Sequence, residues 1–120
     1  KEFKEKFKKC IQLYPQGALP YYLRYFIDPI PVIENLDKAI ELKSDYFEAL
    51  KERAWLYFEE APYDDCIADC DSIIYHNPTQ EYLTWALWLK GWALIKDEKF
   101  KEAIICFNQS LQIDECQTVL

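Results

Sequence analysis

Methionine is absent from this 120-residue chain, even at position 1, and there are only two glycines, one histidine and two arginines. Each shortage excludes something. A chain without an initiator methionine is expected to be a segment of a longer one. Two glycines cannot build a glycine-rich phosphate loop, and with six prolines they speak against hairpin-rich β architecture and disorder. A single histidine, His76, lies in the last turn before Asn77-Pro78 and reads as a helix-end cation rather than a base. No apolar run approaches the roughly 20 residues of a membrane span. The opening Lys1-Glu2-Phe3-Lys4-Glu5-Lys6 is charged at every position but Phe3 and does not read as a signal peptide.

What is abundant points elsewhere. Half of the residues are apolar and 17% are aromatic, enough for one domain with a real core. The net charge of −7 argues against nucleic-acid binding and against a polybasic membrane contact. Five cysteines (Cys10, Cys66, Cys70, Cys106, Cys116) are an odd number in a helical pattern that needs no disulfide frame. They fit free thiols in a reducing compartment, so the expected location is cytoplasmic.

Apolar spacing predicts seven helices. The first covers 1–13, with Phe3, Phe7, Cys10 and Ile11 on one stripe. A short aromatic segment follows at 19–27, then a turn at Asp28-Pro29-Ile30-Pro31. The third helix is expected over 31–43, with Val32, Ile33, Leu36, Ala39, Ile40 and Leu42 inward. Asp45 and Glu48 suggest a capping box opening a helix over 46–59. Its partner spans 63–76 and carries Cys66, Ile67, Cys70, Ile73 and Ile74. Asn77-Pro78-Thr79-Gln80 reads as the next start, Asn at the cap and Pro at the first position, running to about Lys96. The last helix is expected over 100–113, with Ala103, Ile104, Phe107 and Leu111 inward. Connections of two to five residues suit an all-α array.

The pattern repeats. Ala54, Tyr63, Cys66, Cys70, Ile73 and Pro78 follow Phe47 at the offsets at which Gly91, Phe100, Ala103, Phe107, Ser110 and Glu115 follow Thr84. Val32, Leu36, Ala39 and Ser44 fall at the same offsets in a weaker copy. This resembles the tetratricopeptide repeat family, which places small residues at offsets 8, 20 and 27 of a 34-residue unit so that paired helices can approach closely. The resemblance implies a right-handed superhelical array of antiparallel helix pairs: a half repeat at 1–15, a divergent repeat at 16–44, and repeats at 47–78 and 84–117, together one domain over 1–120. The two clear repeats are 37 residues apart, so the helix near 79 is expected to be a turn longer. Lys90 stands where a large apolar residue belongs, and Leu89 can take that space.

In this family ligands lie in a concave groove lined by the first helix of each pair. The resemblance puts Glu48, Lys51, Trp55, Phe58 and Glu59 there, followed by Trp85, Trp88, Trp92, Ile95 and Lys96. Trp85, Trp88 and Trp92 share one helix face, and indoles are enriched at binding hot spots. The expected peptide-binding groove is therefore Lys51, Trp55, Phe58, Trp85, Trp88, Trp92 and Lys96. The competing reading is that neighbouring helices cover these rings as ordinary core. Tyr21, Tyr22 and Tyr25 are expected mostly to pack in the irregular first pair, and Arg24 and Arg53 to lie on solvated faces. One subgroup of the family grips the C-terminal carboxylate of heat-shock chaperones through basic and asparagine residues. The corresponding positions here are Glu48, Lys51, Glu52, Trp55, Trp85, Trp88, Leu89 and Trp92; only Lys51 fits, which argues against that activity.

Catalytic and metal chemistry find little support. Cys66 and Cys70 sit at packing offsets, so a zinc reading with His76 is weak. Asp64, Asp65, Asp69 and Asp71 read as a solvated face, since no loop of alternating oxygen donors exists for calcium. The expected function is a non-catalytic protein-protein interaction module, without cofactor or metal, that binds a protein or peptide segment; neither nucleic acid nor membrane is an expected partner. The alternative is a structural or assembly element that self-associates into a homo-oligomer, or continues into further repeats, through uncapped ends.

Overall fold

Why each helix starts and stops is visible in the computed structural model, which describes residues 2–13, 15–27, 33–60 and 62–119, and side chains of these between 4 and 113. Seven helices are seen among the described residues: α1 (Glu2–Leu13), α2 (Ala18–Ile27), α3 (Ile33–Leu42), α4 (Phe47–Glu60), α5 (Tyr63–Tyr75), α6 (Gln80–Lys96) and α7 (Phe100–Val119). None is long and apolar enough to cross a membrane. The turns expected at 28–31 and at Ala61, and the inward placement of Phe3 and Val32, lie outside the described residues.

Two units make up the chain, Lys1–Ala49 and Leu50–Leu120. In the first, α2 packs on both α1 and α3. Pro20, Leu23 and Tyr25 of α2 and Leu36 and Ala39 of α3 are buried. Tyr22 meets Phe26 edge-on at 5.0 Å and Tyr46 at 5.1 Å. Arg24 caps the turn before α2 by donating to the Pro15 carbonyl at 3.2 Å and lies 4.5 Å above the Tyr21 ring. Cys10 and Leu42, expected inward, are exposed.

In the second unit α5 packs on α6 and α6 on α7. Small residues stand where the helices come close: Ala54, Cys66, Cys70, Ala86, Ala93 and Ala103 are buried, with Leu50, Ile73, Leu89 and Leu94 filling the space around them. Leu89 is fully buried, while Lys90 beside it reaches across to Asp71 at 2.6 Å. A Cβ on Gly91 would come within 2.8 Å of the Phe107 ring, so the closest approach of α6 and α7 requires glycine there.

Boundaries differ from expectation in instructive ways. Asn77 does not cap α6: its φ of 54° puts it in the left-handed region just after His76, where it ends α5. Thr79 is the cap, extended at φ −61° and ψ 162°, its hydroxyl accepting from the Tyr82 amide at 3.5 Å. α6 has 17 residues against 14 in α4, which accounts for the 37-residue spacing. α4 opens at Phe47, one residue later than the Asp45–Glu48 capping box implies. α7 continues to Val119 rather than stopping near 113, since nothing between 113 and 119 is glycine or proline.

Ile104 and Leu111 of α7, expected inward, are exposed, as are Phe100 and Ile105. Among the described residues of α7, the covered face is the one turned to α6. Ala103 and Cys106 join Leu94 in one apolar cluster, with Phe107 and Ile67 against it. The Ser110 hydroxyl donates to the Thr84 carbonyl at 3.5 Å.

Candidate peptide-binding groove

The groove is built from one face of α4 and one face of α6. Lys51 and Trp55 are a helical turn apart on α4, and Trp85 and Trp88 a turn apart on α6. With Glu52 they line a cleft of about 540 Å³. Trp85 is half-buried, whereas Trp55 is 39% exposed, Trp88 42% and Trp92 40%. Indoles are the bulkiest side chains, and three with that much surface in water make an unusual patch for a helix pair that could have buried them.

Of the expected groove residues, Lys51, Trp55, Trp85 and Trp88 share this cleft. Phe58 supports it from the side, stacked on Trp55 at 5.7 Å and 6.2 Å from Tyr63. Trp92 points elsewhere. It meets Phe107 edge-on at 5.7 Å and, with Trp88, Phe107, Ser110 and Leu111, lines a second cleft of about 440 Å³. Lys96 is exposed at the end of α6 and lines neither cleft. All three indoles share one face of α6, but Trp92 lies about 10 Å along the axis from Trp85, where Phe107 of α7 is its neighbour.

Charge in the cleft is arranged around the rings. The Lys51 ammonium lies 5.1 Å from the Trp85 ring centroid and 5.8 Å from that of Tyr82, within cation–π range. Burial pushes the Glu52 carboxyl above its ordinary value, with Lys51 opposing and Glu59 adding to the rise. Glu52 entered the sequence reading only as a misfit to a carboxylate clamp. Its spacing of three from Trp55 was the signal that both share one face.

Two pairs behind the groove were also missed. Arg53 is not on a solvated face: its guanidinium donates in a fork to Asp69, at 2.8 Å and 2.7 Å, and Asp69 is buried. Asp71 is likewise not simply solvated, since it bonds Lys90. Burial works against the Lys90 charge, but the bond to Asp71 outweighs it and holds the ammonium above its ordinary value. These contacts tie α4 to α5 and α5 to α6. Two thiols are held protonated: a hydrogen bond with Cys66 and burial push Cys70 far up, and burial raises Cys106.

No family model matches the chain. Among curated proteins it is similar to Hsp70-Hsp90 organizing protein 3 of Arabidopsis thaliana, 32% identical over an alignment of 87 residues that covers 66% of this chain. The chain spans only 16% of the length of that relative. The phased small-residue pattern and the packing of helices on their neighbours define the fold as an all-α helical-repeat array. In its repeat pattern and its all-helical fold the chain resembles the tetratricopeptide repeat family.

Proposed function

We propose that the chain is a non-catalytic adaptor module that binds a peptide or protein segment in the aromatic groove between α4 and α6. The observation that carries this reading is the convergence of Trp55, Trp85 and Trp88, from two helices, on one open cleft. Indoles offer large, rigid contact area at low entropic cost, and their truncation dominates many interfaces. The relative is named for organising Hsp70 and Hsp90. The groove here does not read as a carboxylate clamp, because tryptophans and Glu52 stand where that chemistry needs cations and amides.

Selection of a displayed linear peptide library on the isolated chain tests the proposal. Peptides enriched by the chain are expected to share apolar or aromatic anchors. Trp55→Ala or Trp88→Ala should weaken them about tenfold or more, since a hot-spot truncation removes 2 kcal/mol or so. Each ring is more than half covered, so a lower melting temperature is expected as well, and circular dichroism at the assay temperature shows that the variants remain folded. Binding that survives both substitutions would contradict the proposal.

A further inference from the structure

We propose that the groove selects a basic peptide, taking an arginine or lysine side chain among the faces of Trp55, Trp85 and Trp88 with Glu52 meeting its charge. This deepens the groove reading and rests on it. Four observations converge on it.

First, the rings already hold a cation. Lys51 lies over Trp85 and Tyr82, so the chain itself supplies a weak internal occupant of the surface that a ligand's cation would take. The negative face of an aromatic ring attracts a cation, most strongly for tryptophan, and more so once water is excluded. Second, Glu52 on the cleft wall has no hydrogen-bond or ion-pair partner among the described residues. A half-buried carboxylate without a partner is costly, and an incoming cation offsets that cost.

Third, the other cations behind the cleft are committed: Arg53 to Asp69 and Lys90 to Asp71. An acidic ligand would find only Lys51 and would face Glu52. Fourth, charge is unevenly divided along the chain. Residues 1–49 hold eight lysines and arginines against eight acidic residues, whereas residues 50–120 hold six against thirteen. The whole net charge of −7 thus belongs to the unit that carries the cleft. A field of that sign steers basic ligands and repels acidic ones.

Lys51 and Glu52 give the inference opposite signs to test. Three blocked heptapeptides of leucine and alanine, differing only in a central arginine, glutamine or glutamate, are titrated against the chain and read by tryptophan fluorescence. The arginine peptide is expected to bind about tenfold tighter than the other two. Lys51→Gln should tighten the arginine peptide several-fold by vacating the ring face, and Glu52→Gln should loosen it several-fold. Unchanged circular dichroism of both variants keeps the comparison sound, since both side chains lie at the cleft surface.

Tightest binding by the glutamate peptide, lost in Lys51→Gln, would overturn the inference in favour of an anion site. Equal binding by all three peptides, insensitive to both charge variants but lost in Trp55→Ala, would overturn it while leaving the apolar groove intact. No change in emission with any peptide up to about 1 mM, a free energy near −4 kcal/mol, would overturn the groove reading as well.

Discussion

Gly91 and Phe107 show what a single residue decides here. The missing Cβ at Gly91 is the space that three atoms of the Phe107 ring occupy, all within 3.0 Å of where it would be. Gly91→Ala gains roughly 1 kcal/mol of helix propensity and loses about 2–3 to overpacking. The expected net result is a destabilisation of about 1–2 kcal/mol in urea unfolding, with Phe107→Leu in the same chain restoring most of it. This constraint was legible, since a small residue at that offset opposite a large one is what the repeat spacing demands. The Arg53–Asp69 fork was not. Four aspartates sit within eight residues on α5, and periodicity alone cannot say which of them turns under α4. Removing one partner of a buried pair strands the other's charge, so Asp69→Ala is expected to cost about 3 kcal/mol. Asp71→Ala, at a half-exposed pair, should cost under about 1 kcal/mol by the same unfolding measurement.

At the scale of the element, the ends of helices separate what proline and glycine signal from what they cannot. Pro15, Pro62 and Pro78 mark boundaries that the structure places within a residue or two of expectation. The turn between α6 and α7 has no such mark. Asp97 ends α6, Glu98 takes a φ of 61°, and its amide and that of Lys99 donate to the carbonyls of Ile95 and Leu94 at 3.0 Å and 2.8 Å. This is the Schellman arrangement with glutamate in the position that favours glycine. An L side chain costs roughly 1 kcal/mol or more there. Glu98→Gly is therefore expected to stabilise the chain by up to about 1 kcal/mol and to raise its melting temperature by a few degrees. A lower melting temperature would mean that the left-handed turn is not populated in solution. The same limits explain α7: the expected end near 113 fell short of Val119 although no glycine or proline lies between, and its exposed Ile104 and Leu111 did not follow from its pattern. An amphipathic stripe records which face is apolar, not whether a neighbour covers it.

For the molecule as a whole, the repeat phase was readable because packing of paired helices imposes small residues at fixed intervals. That Lys51, Trp55, Trp85 and Trp88 share a surface was readable from helix spacing, whereas the limits of the cleft were not, so that Trp92 and Lys96 fall outside it and Glu52 joins it. The account turns on whether these rings are a ligand surface. The most direct measurement is a proton–nitrogen correlation spectrum of the chain labelled with nitrogen-15, in which the four tryptophans give four indole N–H signals, recorded while a library-selected peptide is added. Trp55, Trp85 and Trp88 are predicted to shift together and to saturate at one equivalent, with Trp92 moving least. Saturable binding that leaves those three signals in place would contradict the central claim and move the binding surface off the groove.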